Sequence, residues 1–213
     1  MTAPHEHNVK ITTEQLALEG ILGLPTGARG VVIFAHGSGS GRFSPRNNFV
    51  ARRLQRDGLG TLLLDLLTEE EADDRRKVFD IDLLADRLLL AKGWLVAELR
   101  TKNTGIGYFG ASTGAGAALQ AAARDPSNIR AVVSRGGRPD LAESYLPSVA
   151  APTLLIVGGH DEPVIDMNQA AYDRLTCAKQ VVIIPGATHL FEEPGTLEQV
   201  AEHAGRWFVR YLV

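Results

Sequence analysis

Residues Gly105-Ile106-Gly107-Tyr108-Phe109 run directly into Gly110-Ala111-Ser112-Thr113-Gly114 and on into Ala115-Gly116-Ala117-Ala118-Leu119. A strand-like apolar run therefore meets a Gly-x-Ser-x-Gly pentapeptide, and an alanine-rich helical segment follows. That order requires the chain to reverse from strand to helix in about two residues. Ser112 must then take a strained backbone conformation, and side chains at positions 110 and 114 would clash. Such a turn exposes the Ser112 hydroxyl at the C-terminal edge of a sheet, at a helix N-terminus whose dipole favours developing negative charge. The surrounding uncharged stretch, 103–123, is long enough to span a bilayer, but its five glycines, Ser112 and Gln120 exclude a membrane helix.

Outward from the pentapeptide, short apolar runs alternate with longer amphipathic ones, the pattern of a parallel sheet covered by helices on both faces. Strands are expected at 15–22, 31–35, 61–65, 105–109, 131–134, 153–157 and 180–184, with an edge strand at 8–11. Helices are expected at 45–56, 81–100, 113–124, 164–175 and 196–211. The reading is an α/β fold with a mostly parallel central sheet of about seven or eight strands. The 213 residues suit one such domain spanning 1–213. Only 136–152 offers room for a lid, so no large cap is expected, and short, water-soluble substrates should be preferred.

Composition narrows the partners. Lysine plus arginine number 22 against 25 aspartates and glutamates, a net charge of −3, so there is no basic field to hold nucleic acid. Cys177 is the only cysteine and cannot form an internal disulfide. The first residues, Met1-Thr2-Ala3-Pro4-His5-Glu6-His7, lack the charged-then-apolar run of a signal peptide, which makes the cytoplasm the expected compartment. His5 and His7 have no further residue at ligand spacing, so neither a metal nor a cofactor is expected. The turn His36-Gly37-Ser38-Gly39-Ser40-Gly41-Arg42 fits neither Gly-x-Gly-x-x-Gly nor a P-loop.

Nucleophilic catalysis at Ser112 needs a base, an acid to orient it and an oxyanion hole, with acid and base following later strands in the order Ser, acid, His. The 153–157 strand ends in Gly158-Gly159-His160-Asp161-Glu162-Pro163, and the 180–184 strand ends in Pro185-Gly186-Ala187-Thr188-His189. Asp161 is preferred to Glu162 because its shorter side chain orients an imidazole with less freedom. The 31–35 strand ends in His36-Gly37-Ser38, where Ser38 offers a backbone N–H to a substrate oxygen and Thr113 offers the second. His36 reads as a support for that turn, and His160 as solvent-facing. The charge run 69–77 reads as a solvated helix start. Arg135, in Ser134-Arg135-Gly136-Gly137-Arg138-Pro139-Asp140, stands at the sheet edge where ligands bind, and either reaches the substrate or pairs with Asp140 or the acidic loop.

On these residues the chain resembles the α/β-hydrolases, and most closely the small, cap-less branch similar to dienelactone hydrolase. The resemblance runs from His36 through the helix after His189. It implies Ser112 as nucleophile, Asp161 as acid, His189 as base, and the turn at Gly37 and Ser38 as half of the oxyanion hole. The elbow carries serine where dienelactone hydrolases proper carry cysteine, so the implied activity is hydrolysis of a small-molecule ester rather than of that particular substrate. A thioesterase or acyltransferase would differ only in leaving group or acceptor. A non-catalytic ligand receptor on this fold would not require Ser112, Asp161 and His189 together and in order.

Overall fold

The structure, a computed structural model, describes residues 5–99 and 104–213. The last residue of the helix expected over 81–100 and the start of the uncharged stretch lie outside them.

Eight strands form one sheet: β1 His5–Thr12, β2 Ala17–Leu24, β3 Gly30–Ala35, β4 Gly60–Leu64, β5 Gly105–Ala111, β6 Ile129–Arg135, β7 Thr153–Gly158 and β8 Lys179–Ile184. Their order is β1-β2-β4-β3-β5-β6-β7-β8. The β1–β2 hairpin joins β4 antiparallel, and every pairing from β4 to β8 is parallel. The helices are α1 Pro45–Arg56, α2 Glu69–Ala72, α3 Arg75–Val78, α4 Ile81–Glu98, α5 Thr113–Arg124, α6 Glu162–Arg174 and α7 Thr196–Leu212, with a 3₁₀ segment over Pro139–Ser148.

The central strands β3, β5 and β7 are buried throughout, as strands covered on both faces must be. Alternation along each strand sorts side chains between two cores. Ile33, Leu62, Tyr108, Val132 and Leu155 pack with Leu84, Leu88 and Leu95 of α4 and with the alanines of α5. Val32, Phe34, Phe109, Val133 and Ile156 face the opposite way, onto Val50 and Leu54 of α1 and Val200, Ala204 and Phe208 of α7. Because β3 to β8 are parallel, the C-terminal ends of these six strands lie along one edge of the sheet. Residues scattered from His36 to His189 can therefore meet there.

The segment after β6 carries no large cap, as expected, and its 3₁₀ stretch packs on α5: Gly116 of α5 approaches so closely that a Cβ there would lie 2.9 Å from the Arg138 carbonyl oxygen and 3.1 Å from Leu141 Cβ. Gly116 thus serves packing of α5 on the 3₁₀ segment. The charge run 69–77 starts a helix without buried residues, as expected, but divides into two four-residue helices, α2 and α3. Thr68 and Glu71 form a reciprocal capping box on α2, and Glu71 also takes Arg87 of α4 at 2.9 Å and Lys77 at 3.3 Å. Burial pushes the Glu71 carboxyl up, but the Thr68 N–H and the charges of Arg87 and Lys77 outweigh it and leave the pKa lowered.

Candidate active site

Ser112 stands between β5 and α5 at φ 51°, ψ −122°, one of three non-glycine residues with positive φ among the described residues. The glycines flanking it are required, though not because positions 110 and 114 would strike each other. A Cβ at Gly110 would lie 2.7 Å from the Ala115 nitrogen, and one at Gly114 would run into the carbonyl oxygens of Ala35 and His36. The elbow is therefore pressed against the end of β3 as well as against its own helix. The Ser112 N–H is held by the Arg135 carbonyl at 3.3 Å, and its own carbonyl accepts from Arg138 N–H at 3.0 Å. Thr113 and Gly114 occupy the first helical turn, where a helix offers their N–H groups no acceptor.

The turn after β3 rests on the elbow: a Cβ at Gly37 would lie 3.1 Å from Ser112 Cβ. His36 holds this turn in place. Its buried Nε2 lies 3.0 Å from Leu66 N–H and accepts from it, which leaves the hydrogen on Nδ1 to bond the Gly37 carbonyl at 2.9 Å. Burial lowers the His36 pKa and keeps the ring neutral, the form this pair of bonds needs. Ser40 N–H closes the turn on the Gly37 carbonyl at 3.3 Å, and Ser38 stands exposed at its tip.

On the other side of Ser112, the turns after β7 and β8 are fastened together. Gly159 N–H bonds the Ile184 carbonyl and His160 N–H bonds that of Ala187, both at 2.9 Å. Only glycine fits at 158, since a Cβ would lie 2.5 Å from the Ala187 carbonyl oxygen. Asp161 Oδ2 then lies 2.7 Å from His189 Nδ1. That bond places the Nδ1 hydrogen toward the carboxylate and leaves Nε2 without a hydrogen. Asp161 is the more sheltered partner, at 13% exposure against 38% for His189. Glu162 and His160 are both exposed, which leaves Asp161 as the carboxylate against the ring.

The sequence offered little sign of the groups that steady His189. Glu193 accepts from the Thr188 N–H at 3.1 Å and from its hydroxyl at 2.6 Å, bonds that lower its pKa. Gly136, at φ 51°, would set a Cβ 3.1 Å from the His189 carbonyl oxygen and 3.6 Å from its Cε1. The Gly136 and Ser112 backbones thus link elbow and imidazole through the end of β6.

Arg135 is 5% exposed and has no carboxylate partner among the described residues; Asp140 is taken by Arg138 at 2.7 Å. The Arg135 guanidinium is 5.8 Å from the Phe191 ring, with Nη2 3.4 Å from Asn47 Oδ1 and Nε unpaired. Burial, with the nearby charge of Arg46, lowers its pKa to about 10. Asn47 belongs to the first turn of α1, so a helix N-terminus adds to the positive potential.

A cavity of about 570 Å³ opens on the opposite flank, lined by the turn at Gly37 and Ser38, by Thr113, and by residues between Asp65 and Leu84.

The sequence profile of the dienelactone hydrolase family matches residues 18–211, nearly all of the chain just described. The chain belongs to the dienelactone hydrolase family. It is 56% identical to a dienelactone hydrolase of Anabaena variabilis, whose crystal structure superposes with a TM-score of 0.96 over 100% of both chains. The esterase-type fold extends further: Est1E of Butyrivibrio proteoclasticus is 18% identical and shares the architecture at a TM-score of 0.81 over 95% of this chain and 98% of its own. Proteins of two Mycobacterium tuberculosis strains, provisionally named phosphoribosyl transferases, are 55% identical over 207 residues, which is 97% of this chain. The match covers 47% of their length, so the chain spans about half of these curated relatives. No helix among the described residues is long and apolar enough to cross a membrane.

Proposed function

We propose that the chain is a serine hydrolase of small carboxylic esters, with Ser112 as nucleophile, His189 as general base and Asp161 as the acid that orients it. The observation that carries this reading is the 2.7 Å bond from His189 Nδ1 to Asp161, taken together with an elbow serine at φ 51°. In the first step Ser112 Oγ bonds to the ester carbonyl carbon and its proton passes to His189 Nε2. The N–H groups of Ser38 and Thr113 take the oxyanion. The bond to the alcohol oxygen then breaks, and His189 returns the proton to the departing alcohol. Water, deprotonated by His189, attacks the acyl-enzyme; collapse releases the acid and restores the Ser112 hydroxyl. Gly37 and Arg135 are the substrate contacts of this reading, the first through backbone approach and the second through charge. No step uses a cofactor.

The transferase name of the M. tuberculosis relatives belongs to proteins about twice as long as the matched segment. The shared half is the half that the hydrolase-family profile covers, so phosphoribosyl transfer is not proposed for this chain.

A fluorophosphonate probe, followed by mass analysis and a panel of short esters and thioesters, tests the assignment. Label is expected on Ser112 with turnover of esters, and Ser112→Ala should lose on the order of 10⁴- to 10⁶-fold in kcat. Retention of a tenth of wild-type activity in Ser112→Ala would overturn the nucleophile. Labelling without hydrolysis of any ester would point to acyl transfer, and no labelling to a non-catalytic receptor.

A further inference from the structure

The cavity on the β4 side of Ser112 is not accounted for by proton transfer or by the oxyanion hole alone. One wall is the oxyanion turn, with Gly37, Ser38 and Thr113. The others come from elements that follow β4: Leu67, Ala72 of α2, Val78 of α3 and Leu84 of α4 contribute aliphatic surface. Its volume of about 570 Å³ lies in the range of small-molecule sites. Its wall is tethered to the body of the molecule, since Glu71 of α2 binds Arg87 of α4 at 2.9 Å.

The order of the strands decides which half of an ester can enter. Ser112 follows β5; the cavity is lined by residues after β3 and β4, to one side of it, while Asp161 and His189 follow β7 and β8, to the other. A tetrahedral carbon on Ser112 Oγ has three further substituents. The oxyanion points to the Ser38 and Thr113 N–H groups, and the leaving oxygen must sit by His189 Nε2 to receive its proton. With the leaving oxygen held toward β7 and β8, the space left for the acyl substituent is on the cavity side, beside the oxyanion turn.

Charge restricts what fits. Glu19, Asp65 and Glu69 line the cavity with Arg42 as the only cationic side chain among its lining residues. The Arg42 guanidinium is already held by both Glu19 and Asp65, and Glu69 has no cation partner among the described residues. A carboxylate on the acyl group would meet net negative potential. We propose, on the basis of the esterase reading above, that α2 and α3 form the wall of an acyl pocket selecting uncharged, medium-length aliphatic acyl groups such as butanoyl and hexanoyl. Such selection differs from the preference for short esters expected from 136–152, because the covering surface it uses comes from 67–84.

The test compares p-nitrophenyl acetate, butanoate and hexanoate on the full chain, with ethyl and hexyl acetate as the alcohol-side series. Wild-type kcat/KM should rise roughly two- to fourfold per methylene along the acyl series. Val78→Trp and Ala72→Phe, the second at an exposed rim position that tolerates a larger side chain, should each lower the hexanoate-to-acetate ratio roughly tenfold. The hexyl-to-ethyl acetate ratio should stay as in wild type. An unchanged acyl ratio in a variant whose circular dichroism shows it folded overturns the pocket while leaving the esterase intact. A fall in the alcohol-side ratio instead would seat the wrong half of the ester there and overturn it too. If wild type turns over no ester at all, the hydrolytic reading fails and the acyl assignment falls with it.

Discussion

At the scale of single residues, the carboxylate against His189 is decided by one position in the chain. Asp161 and Glu162 are neighbours of the same charge, but Asp161 precedes α6 and turns its carboxylate to the ring, while Glu162 begins the helix and faces solvent. Asp161→Asn should fold normally and lose about 10²- to 10⁴-fold in kcat, because an amide can stabilise the wrong imidazole tautomer and cannot offset an imidazolium. Glu162→Gln should stay near wild type in the same assay. Greater damage from the Glu162 change would move the acid by one position. The preference for Asp161 was legible in the sequence because it rested on side-chain length and distance from a strand end, both local properties. The Glu193 support was not, since it depends on the loop folding back on Thr188.

Between elements, the turn after β3 is held by a buried neutral histidine that reaches the chain after β4. Burial lowers the His36 pKa from its ordinary 6.5, so just below that value the unfolded chain binds a proton that the folded chain refuses. Stability from this group is therefore complete above about pH 6.5 and is lost as pH falls below it. Thermal unfolding measured from pH 8 to 5 should show the midpoint dropping on the acid side. His36→Ala should unfold earlier at every pH, by roughly 1–3 kcal/mol for the orphaned Leu66 N–H, and its acid slope should be shallower. An identical slope in both proteins would mean that other groups drive the acid transition. Element positions followed the sequence closely where periodicity was strong: α1 and α5 have the expected bounds, and β3 and β7 differ from them by one residue. The division of 69–77 into α2 and α3 was missed because four-residue helices are too short to show a period, and their charged sequence reads equally well as one solvated helix start.

For the whole molecule, the parallel sheet sorts charge along its C-terminal edge. Glu19, Asp65 and Glu69 border the cavity on the β4 side, whereas Arg135, Arg46 and the α1 N-terminus lie toward the His189 loop, where Glu192 offsets part of that charge by pairing with Arg46 at 3.0 Å. An ester bearing its anionic group on the alcohol half should accordingly exceed its neutral analogue in kcat/KM. The gain expected from a desolvated charge-assisted hydrogen bond to Arg135 is roughly 1.5–3 kcal/mol. The same group on the acyl half should bring a loss. Arg135→Gln should remove the alcohol-side gain and affect neutral esters far less. Equal loss on charged and neutral substrates would assign Arg135 to the fold alone.

The sequence by itself determined the parallel α/β sheet, the serine elbow, and acid and base candidates at the ends of later strands. Each is written in short-range pattern: alternating apolar runs, glycines two residues either side of Ser112, and a polar residue just past a strand. Parallel connectivity then carries the ends of β3 to β8 to one edge without further instruction. Tertiary structure alone decided what surrounds those residues. Gly110 meets Ala115, and Gly114 meets the end of β3, where the sequence suggested a clash between the two glycine positions. Arg135 proved to be buried without a carboxylate partner among the described residues, and Arg138 took the nearby Asp140. The cavity wall came from 67–84, not from the segment after β6. Burial, ion-pair choice and cavity shape depend on contacts between residues far apart in the chain, and no local periodicity encodes which distant surface will arrive.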